Sequence, residues 1–139
     1  MSSRKNPYKG QDHLTAQAKS AGYPARSVFK LEEIDRRTRL LRSGQRVLDL
    51  GAAPGSWSKY AAERVGPGGR VLAIDLSEIV AVMPPHVERV RGDVFALGPE
   101  VLDRVGPYDV VLSDMAPATT GTRFADQARS FELFMSAVD

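Results

Sequence analysis

From residue 46 onward, short apolar runs alternate with longer amphipathic ones. "RVLDL" (46–50), "RVLAIDL" (70–76), "VERVRGD" (87–93) and "YDVVLSD" (108–114) read as four strands, each bounded by Gly, Pro or Asp. Between them the pattern predicts three connecting elements. One is a helix from about Ser56 to about Val65, ended by "GPGG" at 66–69. The second is a short helix or turn closed by "PP" at 84–85, and the third a helix over about 98–105. A loop at 115–122 and a helix from about Arg123 to Asp139 complete the chain. Upstream, residues 13–20 suit a short helix broken by "GYP" at 22–24. A longer helix then runs from about Ala25 to Leu40. On a helical wheel Leu31, Ile34, Thr38 and Leu41 share one arc, with Val28 at its margin and Lys30 at the opposite edge.

Strands alternating with helices imply a parallel sheet with right-handed crossovers, an α/β doubly wound fold. Residues 1–12 read as a flexible basic arm, and residues 13–139 as one domain opening with a helical segment over 13–45. No internal repeat is present, and no run of about 18 apolar residues predicts a membrane span.

Charge adds a partner to this frame. Residues 1–46 carry 11 Lys and Arg against 4 Asp and Glu, and residues 47–139 carry 8 against 13, so a basic third precedes an acidic body within a net charge of +2. That asymmetry suits a polyanion, and it equally suits a solvated tail and helix face. Cysteine is absent, which excludes disulfides, thiolate metal sites and thiolate attack, and fits a cytoplasmic location. His13 and His86 are too few and too scattered for a metal site and read as surface residues.

In doubly wound sheets, ligands bind beyond the carboxyl ends of the strands. Each strand here ends near an acid: Asp49, Asp75, Asp93 and Asp114. For any single one, a helix cap or turn former is a sufficient account. "DLGAAPGSWS" at 49–58 offers Gly51 and Gly55 for close backbone approach, but the third Gly of a dinucleotide fingerprint is missing. An adenosine without phosphates fits better. Asp75 would accept the ribose hydroxyls and Asp93 the adenine amino group. Trp57 would either cover an apolar or cationic part of the ligand or pack on the sheet. A nucleoside held by carboxylates and carrying a cationic sulfonium points to S-adenosylmethionine.

The motifs "RSVFKLEEID", "VLDLGAAPGSWS", "AIDL", "RGDV" and "VVLSDMAPATTGT" occur in this order from about residue 12 to the end. Together they resemble the FtsJ/RrmJ-like (RlmE) ribosomal RNA 2′-O-methyltransferases. The resemblance implies a Rossmann-like class I methyltransferase fold and no metal. Of the family's Lys–Asp–Lys–Glu tetrad, Lys30 matches the first Lys and Asp114 the Asp. Gly55, Trp57, Asp75 and Asp93 would contact the cofactor, with Asp114 near its methyl group. The substrate implied is a ribose 2′-hydroxyl of a uridine in 23S ribosomal RNA within the large subunit. The basic arm and helix would face that RNA, with the protein a monomer at full length. Without the resemblance, Lys30 also reads as a lysine lying along an apolar arc and paired with Glu33.

Departures from the pattern are specific. "PGSW" stands where "PGGW" is frequent. The fifth strand bearing the second Lys, and the strands bearing the Glu, have no counterpart in these 139 residues. Lys59 is not a substitute. The expectation is a fragment of a longer methyltransferase that, alone, leaves strand four as an apolar edge, folds poorly or self-associates, and does not turn over. An inactive cofactor- or RNA-binding module and a nicotinamide-dependent oxidoreductase are the competing classes.

Overall fold

The computed structural model describes residues 7–114, with side chains from residue 13. Four helices and four strands follow in the order α1 (Pro7–Ser20), α2 (Val28–Thr38), β1 (Arg46–Leu50), α3 (Ser56–Val65), β2 (Arg70–Asp75), β3 (Val87–Arg91), α4 (Pro99–Asp103) and β4 (Val110–Ser113). The strands form one parallel sheet in the order β3-β2-β1-β4. β1 is in register with β2 from Arg46↔Arg70 to Leu50↔Ile74 and with β4 from Val47↔Val110 to Leu50↔Ser113. The chain thus reverses its direction of winding at β1, and the crevice past the ends of β1 and β4 is the switch point where ligands bind in such sheets.

Side-chain alternation divides the core. Val47, Val71, Val110 and Leu112 pack with Ala61, Ala62 and Val65 of α3 and with Val28 and Leu31 of α2. Their neighbours Leu48, Leu50, Leu72 and Ile74 point to the other face, against Val105 and Tyr108. Both faces are covered, which is why the central strands read as nearly unbroken apolar runs rather than as strict alternation. Fully burying each of these aliphatic side chains contributes about 1.5–3 kcal/mol. β1 and β4 are also tied at their starts: Arg46 N–H donates to Asp109 Oδ2 at 2.8 Å, and Asp109 N–H to the Arg46 carbonyl at 2.8 Å. At the α3–β2 turn, a Cβ on Gly69 would lie 2.6 Å from the Gln45 carbonyl oxygen, so only glycine fits there without backbone movement.

The four strands and α3 lie where the sequence pattern sets them; two expectations need correction and a third is narrowed. Residues 7–12 belong to α1 rather than to a flexible arm. Residues 76–85 contain no helix; they form an irregular segment that lays Ile79 against Ala52 and Ala73. The buried face of α2 is Val28, Leu31 and Asp35, whereas Ile34 is 37% exposed and Thr38 is also exposed. Asp35 displaces the expected apolar arc because its carboxylate has three donors. Oδ1 accepts Leu41 N–H at 2.8 Å, and Oδ2 accepts Tyr60 Oη–H at 3.0 Å and Arg64 Nε–H at 3.2 Å. A charge buried to 4% exposure is tolerable only with such partners. The loop at 115–122 and the helix expected to Asp139 lie outside the described residues.

Candidate active site

The loop 51–55 leaves β1 and turns into α3 under two constraints. Ala52 N–H bonds the Ile74 carbonyl at 3.0 Å, and Ala53 N–H bonds Asp75 Oδ2 at 3.0 Å, so the loop is fastened to the end of β2. Gly55, the N-cap of α3, has φ +116°, a conformation unfavourable to any residue with a Cβ. A Cβ there would meet Met83 Cε at 2.6 Å and Ala81 Cβ at 3.0 Å. The bare flank of Gly55 is therefore covered by the chain's own segment 79–83. Gly51 has φ +68°.

Lys30 and Asp114 meet. Lys30 Nζ lies 3.3 Å from Asp114 Oδ1, across 84 residues of sequence, with side chains 65% and 37% exposed. Glu33, the alternative partner of Lys30, pairs with Arg37 at 2.9 Å instead. The lysine is positioned from below by Trp57, whose ring centroid is 5.9 Å from Nζ, within cation–π range. Trp57 itself is 7% exposed in the core between α2 and α3, and its Nε1–H donates to the Ser27 carbonyl at 2.8 Å. It packs on the sheet and also seats the lysine.

The remaining strand-end acids divide by environment. Asp75 Oδ1 accepts Ser77 N–H at 2.7 Å while Oδ2 holds Ala53, and each carboxylate oxygen keeps a further lone pair. Asp93 Oδ1 accepts Phe95 N–H at 3.0 Å, shaping the turn after β3. Asp49 is 1% exposed and accepts Ser58 Oγ–H at 2.6 Å. Burial pushes the Asp49 carboxyl up to about 7; the Asp114 and Asp75 charges raise it further, and the Ser58 hydrogen bond opposes them. A recess of about 20 Å³ is lined by Ser27, Asp49, Trp57 and Asp114 together with the Gly51–Pro54 backbone and Ser56. Lys30, Trp57, Gly51, Asp49 and Asp114 thus gather around the ends of β1 and β4. Gly55 and Asp75 stand at the neighbouring β2 end, and Asp93 beyond β3.

Sequence reasoning named Asp49 as a strand-end acid without giving it a role. Its signal was a carboxylate in the inward register of "VLDL", on the face of Val47. It also passed over Ser56, whose Oγ accepts Ala25 N–H at 2.9 Å and donates to the Ala25 carbonyl at 3.2 Å. Among the described residues no group of three or more His, Asp or Glu is placed to hold a metal ion, and no helix is long and apolar enough to cross a membrane.

Known proteins are similar to this chain in sequence and in fold. A Sorangium cellulosum protein named ribosomal RNA large subunit methyltransferase E is 68% identical over 134 residues, covering 96% of this chain and 63% of its own length. A protein of the same name from Nitratidesulfovibrio vulgaris is 56% identical, covering 94% of this chain and 65% of its own. The chain therefore spans less than two thirds of the length of these relatives. A Plasmodium falciparum structure described as a ribosomal RNA methyltransferase superposes with a TM-score of 0.57 at 25% identity, over 83% of this chain and 68% of its own. The MycE methyltransferase of mycinamycin biosynthesis, solved with Mg and S-adenosylhomocysteine, has a TM-score of 0.50 at 23% identity, over 83% of this chain and 30% of its own, a likeness of fold alone. A family profile described as FtsJ-like methyltransferase matches residues 23–139. With the profile spanning α2, the glycine loop and all four strands, the chain belongs to the FtsJ-like methyltransferase family.

Proposed function

We propose that this chain contributes to the S-adenosylmethionine-dependent methylation of a ribose 2′-hydroxyl, that of a uridine in 23S ribosomal RNA of the large subunit. The observation that carries the reading is the Lys30–Asp114 pair at the switch point, beside the glycine loop. The large-subunit methyltransferase names of the relatives support the substrate class.

The residues suit the cofactor by the chemistry of their donor set. Carboxylates stand at or near the ends of all four strands, matching hydroxyls and a sulfonium and repelling phosphates. When bound, S-adenosylmethionine supplies an electrophilic methyl group on a positively charged sulfur. Asp75 would take the ribose hydroxyls on its remaining lone pairs, Asp93 the adenine, and Gly51 would allow close backbone approach. The recess lined by Trp57 and Asp49 holds about one water-sized group, so the nucleoside would lie across the open strand ends rather than inside it.

At the acceptor side, Asp114 and Trp57 fix the Lys30 side chain, which would otherwise sample many rotamers. The held lysine orients the incoming hydroxyl for in-line attack, where positioning supplies much of the acceleration. Bound S-adenosylmethionine would supply the methyl carbon to the hydroxyl oxygen, with the sulfur keeping the electron pair of the broken carbon–sulfur bond and solvent taking the hydroxyl proton. The N-terminal basic residues and α2 would meet the RNA, and the protein would act as a cytoplasmic monomer.

Isothermal titration of S-adenosylmethionine and of a nicotinamide dinucleotide tests the cofactor reading. Saturable binding of the first, weakened by Asp75→Ala, is expected. Binding of the dinucleotide alone would overturn it. Transfer of a labelled methyl group to large-subunit RNA by the whole protein, mapped to a ribose or a base, tests the acceptor.

A further inference from the structure

An arginine-rich cleft lies away from the strand ends. An open cleft of about 590 Å³ runs between the carboxyl-terminal parts of α2 and α3, lined by Asp35, Arg36, Arg39, Leu41, Arg42 and Arg64. Arg36 pairs with Glu32 at 2.7 Å, and Asp35 is consumed by Leu41, Tyr60 and Arg64. That leaves Arg39 and Arg42 with no acidic partner among the described residues.

The guanidinia are held in a particular way. Arg64 uses Nε–H on Asp35 and lies 5.4 Å from the Tyr60 ring centroid. Arg42 uses Nε–H on the Arg39 carbonyl at 3.2 Å. Arg64 also engages the Tyr60 hydroxyl, whereas in Arg42 only the group nearest the stem is anchored, and its two terminal amino groups, the fork that binds phosphate in a bidentate way, are left over. Helix-dipole complementarity accounts for Arg36 and Arg37 in the last turn of α2. It does not account for two more arginines past that helix converging on one concavity.

We propose that this cleft binds the phosphate backbone of an RNA segment distinct from the one that presents its ribose at Lys30. The cleft stands about 14 Å along α2 from Lys30, nine residues on, and Arg36 is turned about 120° around the helix from it. An oligonucleotide of about two nucleotides seated at Lys30 would not reach the cleft, whereas a folded RNA would cover both places. The proposal rests on the RNA methyltransferase reading above.

Binding of two RNAs to the protein is measured against salt: a short single-stranded oligonucleotide carrying the acceptor uridine, and a long folded fragment of large-subunit RNA. Arg39→Asn suits the left-handed backbone at that residue (φ 51°) and removes its charge; Arg42→Gln removes the second. The double variant is expected to lower the slope of log K against log salt by about 2 for the long RNA. It should leave the short oligonucleotide and S-adenosylmethionine binding unchanged, while Arg42→Lys keeps the slope. An unchanged slope on long RNA overturns the cleft, and so does an equal loss on both RNAs. So would Arg42→Lys losing as much slope as Arg42→Gln, which would assign the effect to packing. Wild-type protein that binds S-adenosylmethionine but neither RNA rejects the acceptor reading along with the cleft.

Discussion

Ser56 and Ala25 exchange two hydrogen bonds, one in each direction, across 31 residues: Ala25 N–H to Ser56 Oγ at 2.9 Å and Ser56 Oγ–H to the Ala25 carbonyl at 3.2 Å. The serine is 2% exposed. It clamps the turn that launches α2 onto the first residue of α3, and so joins the segment bearing Lys30 to the glycine loop. A "PGGW" loop has no side chain there to do this. Ser56→Ala or Ser56→Gly should destabilise the fold by about 1–3 kcal/mol, the cost of leaving partly buried backbone groups unpaired. Ser56→Thr should retain the hydrogen bonds but strain the packing. Urea midpoints of the three variants check this; equal midpoints for Ala and wild type would count against the clamp.

Asp49 imposes a pH dependence on stability. The unfolded chain ionises this carboxyl near 3.8 and the folded chain near 7, so between those values the folded state holds a proton that the unfolded state has lost. Stability should fall as pH rises from about 4 to about 7 and then level off. The full swing is on the order of 4 kcal/mol, at about 1.4 kcal/mol per pH unit. Asp49→Asn stays neutral throughout and can still accept from Ser58. The melting temperature of wild type minus that of the variant should therefore decline over this window; a flat difference would show that Asp49 is ionised in the fold.

Removal of the Lys30–Asp114 pair should separate stability from activity. The pair is largely exposed, and such pairs contribute about 0–1 kcal/mol. Lys30→Ala and Asp114→Asn should therefore melt close to wild type. Methyl transfer by the whole protein should fall by about 100-fold or more in kcat, through loss of positioning of the hydroxyl. Asp114→Asn is also expected to weaken S-adenosylmethionine binding, whereas Lys30→Ala is not.

Gly55 distinguishes backbone strain from crowding. Gly55→Ala should cost about 1–2 kcal/mol for a side chain in a left-handed conformation. The Met83 methyl, 2.6 Å from the added Cβ, ends a flexible side chain and can swing aside. The loss should therefore persist nearly whole in a Met83→Ala background. A double variant restored to the stability of Met83→Ala alone would make the clash, not the φ angle, the cause.

The sheet was legible because its strands carry residues that only a doubly covered sheet explains: Val47, Leu48 and Leu50 of β1 are all fully buried. α2 was less so. A wheel weighs residue types singly, and Asp35 enters the core because Leu41, Tyr60 and Arg64 satisfy it, a fact held in three other parts of the chain. Segment 76–85 read as either a short helix or a turn for want of other order. Its path is set by Arg89, which holds the Ile79 carbonyl at 2.8 Å, and by Arg91, which holds the Leu76 carbonyl at 3.1 Å. Of the site, the acids announced themselves by their place at strand ends. The seat of Lys30 on Trp57 depends on how α2 crosses α3, which no local pattern encodes.

The sequence separation of 84 between Lys30 and Asp114 makes their pairing a late event in folding. α2 and α3 can dock through local contacts, and β1 and β2 are joined by a single helix. Lys30 finds its carboxylate only once β4, the fourth strand in chain order, has threaded back beside β1. Closing so long a loop is paid in chain entropy before any contact repays it. During synthesis, the glycine loop and Asp75 are therefore in place before Lys30 can meet Asp114. On the function proposed above, a nascent chain would gain the capacity to hold a nucleoside earlier than the capacity to modify an RNA.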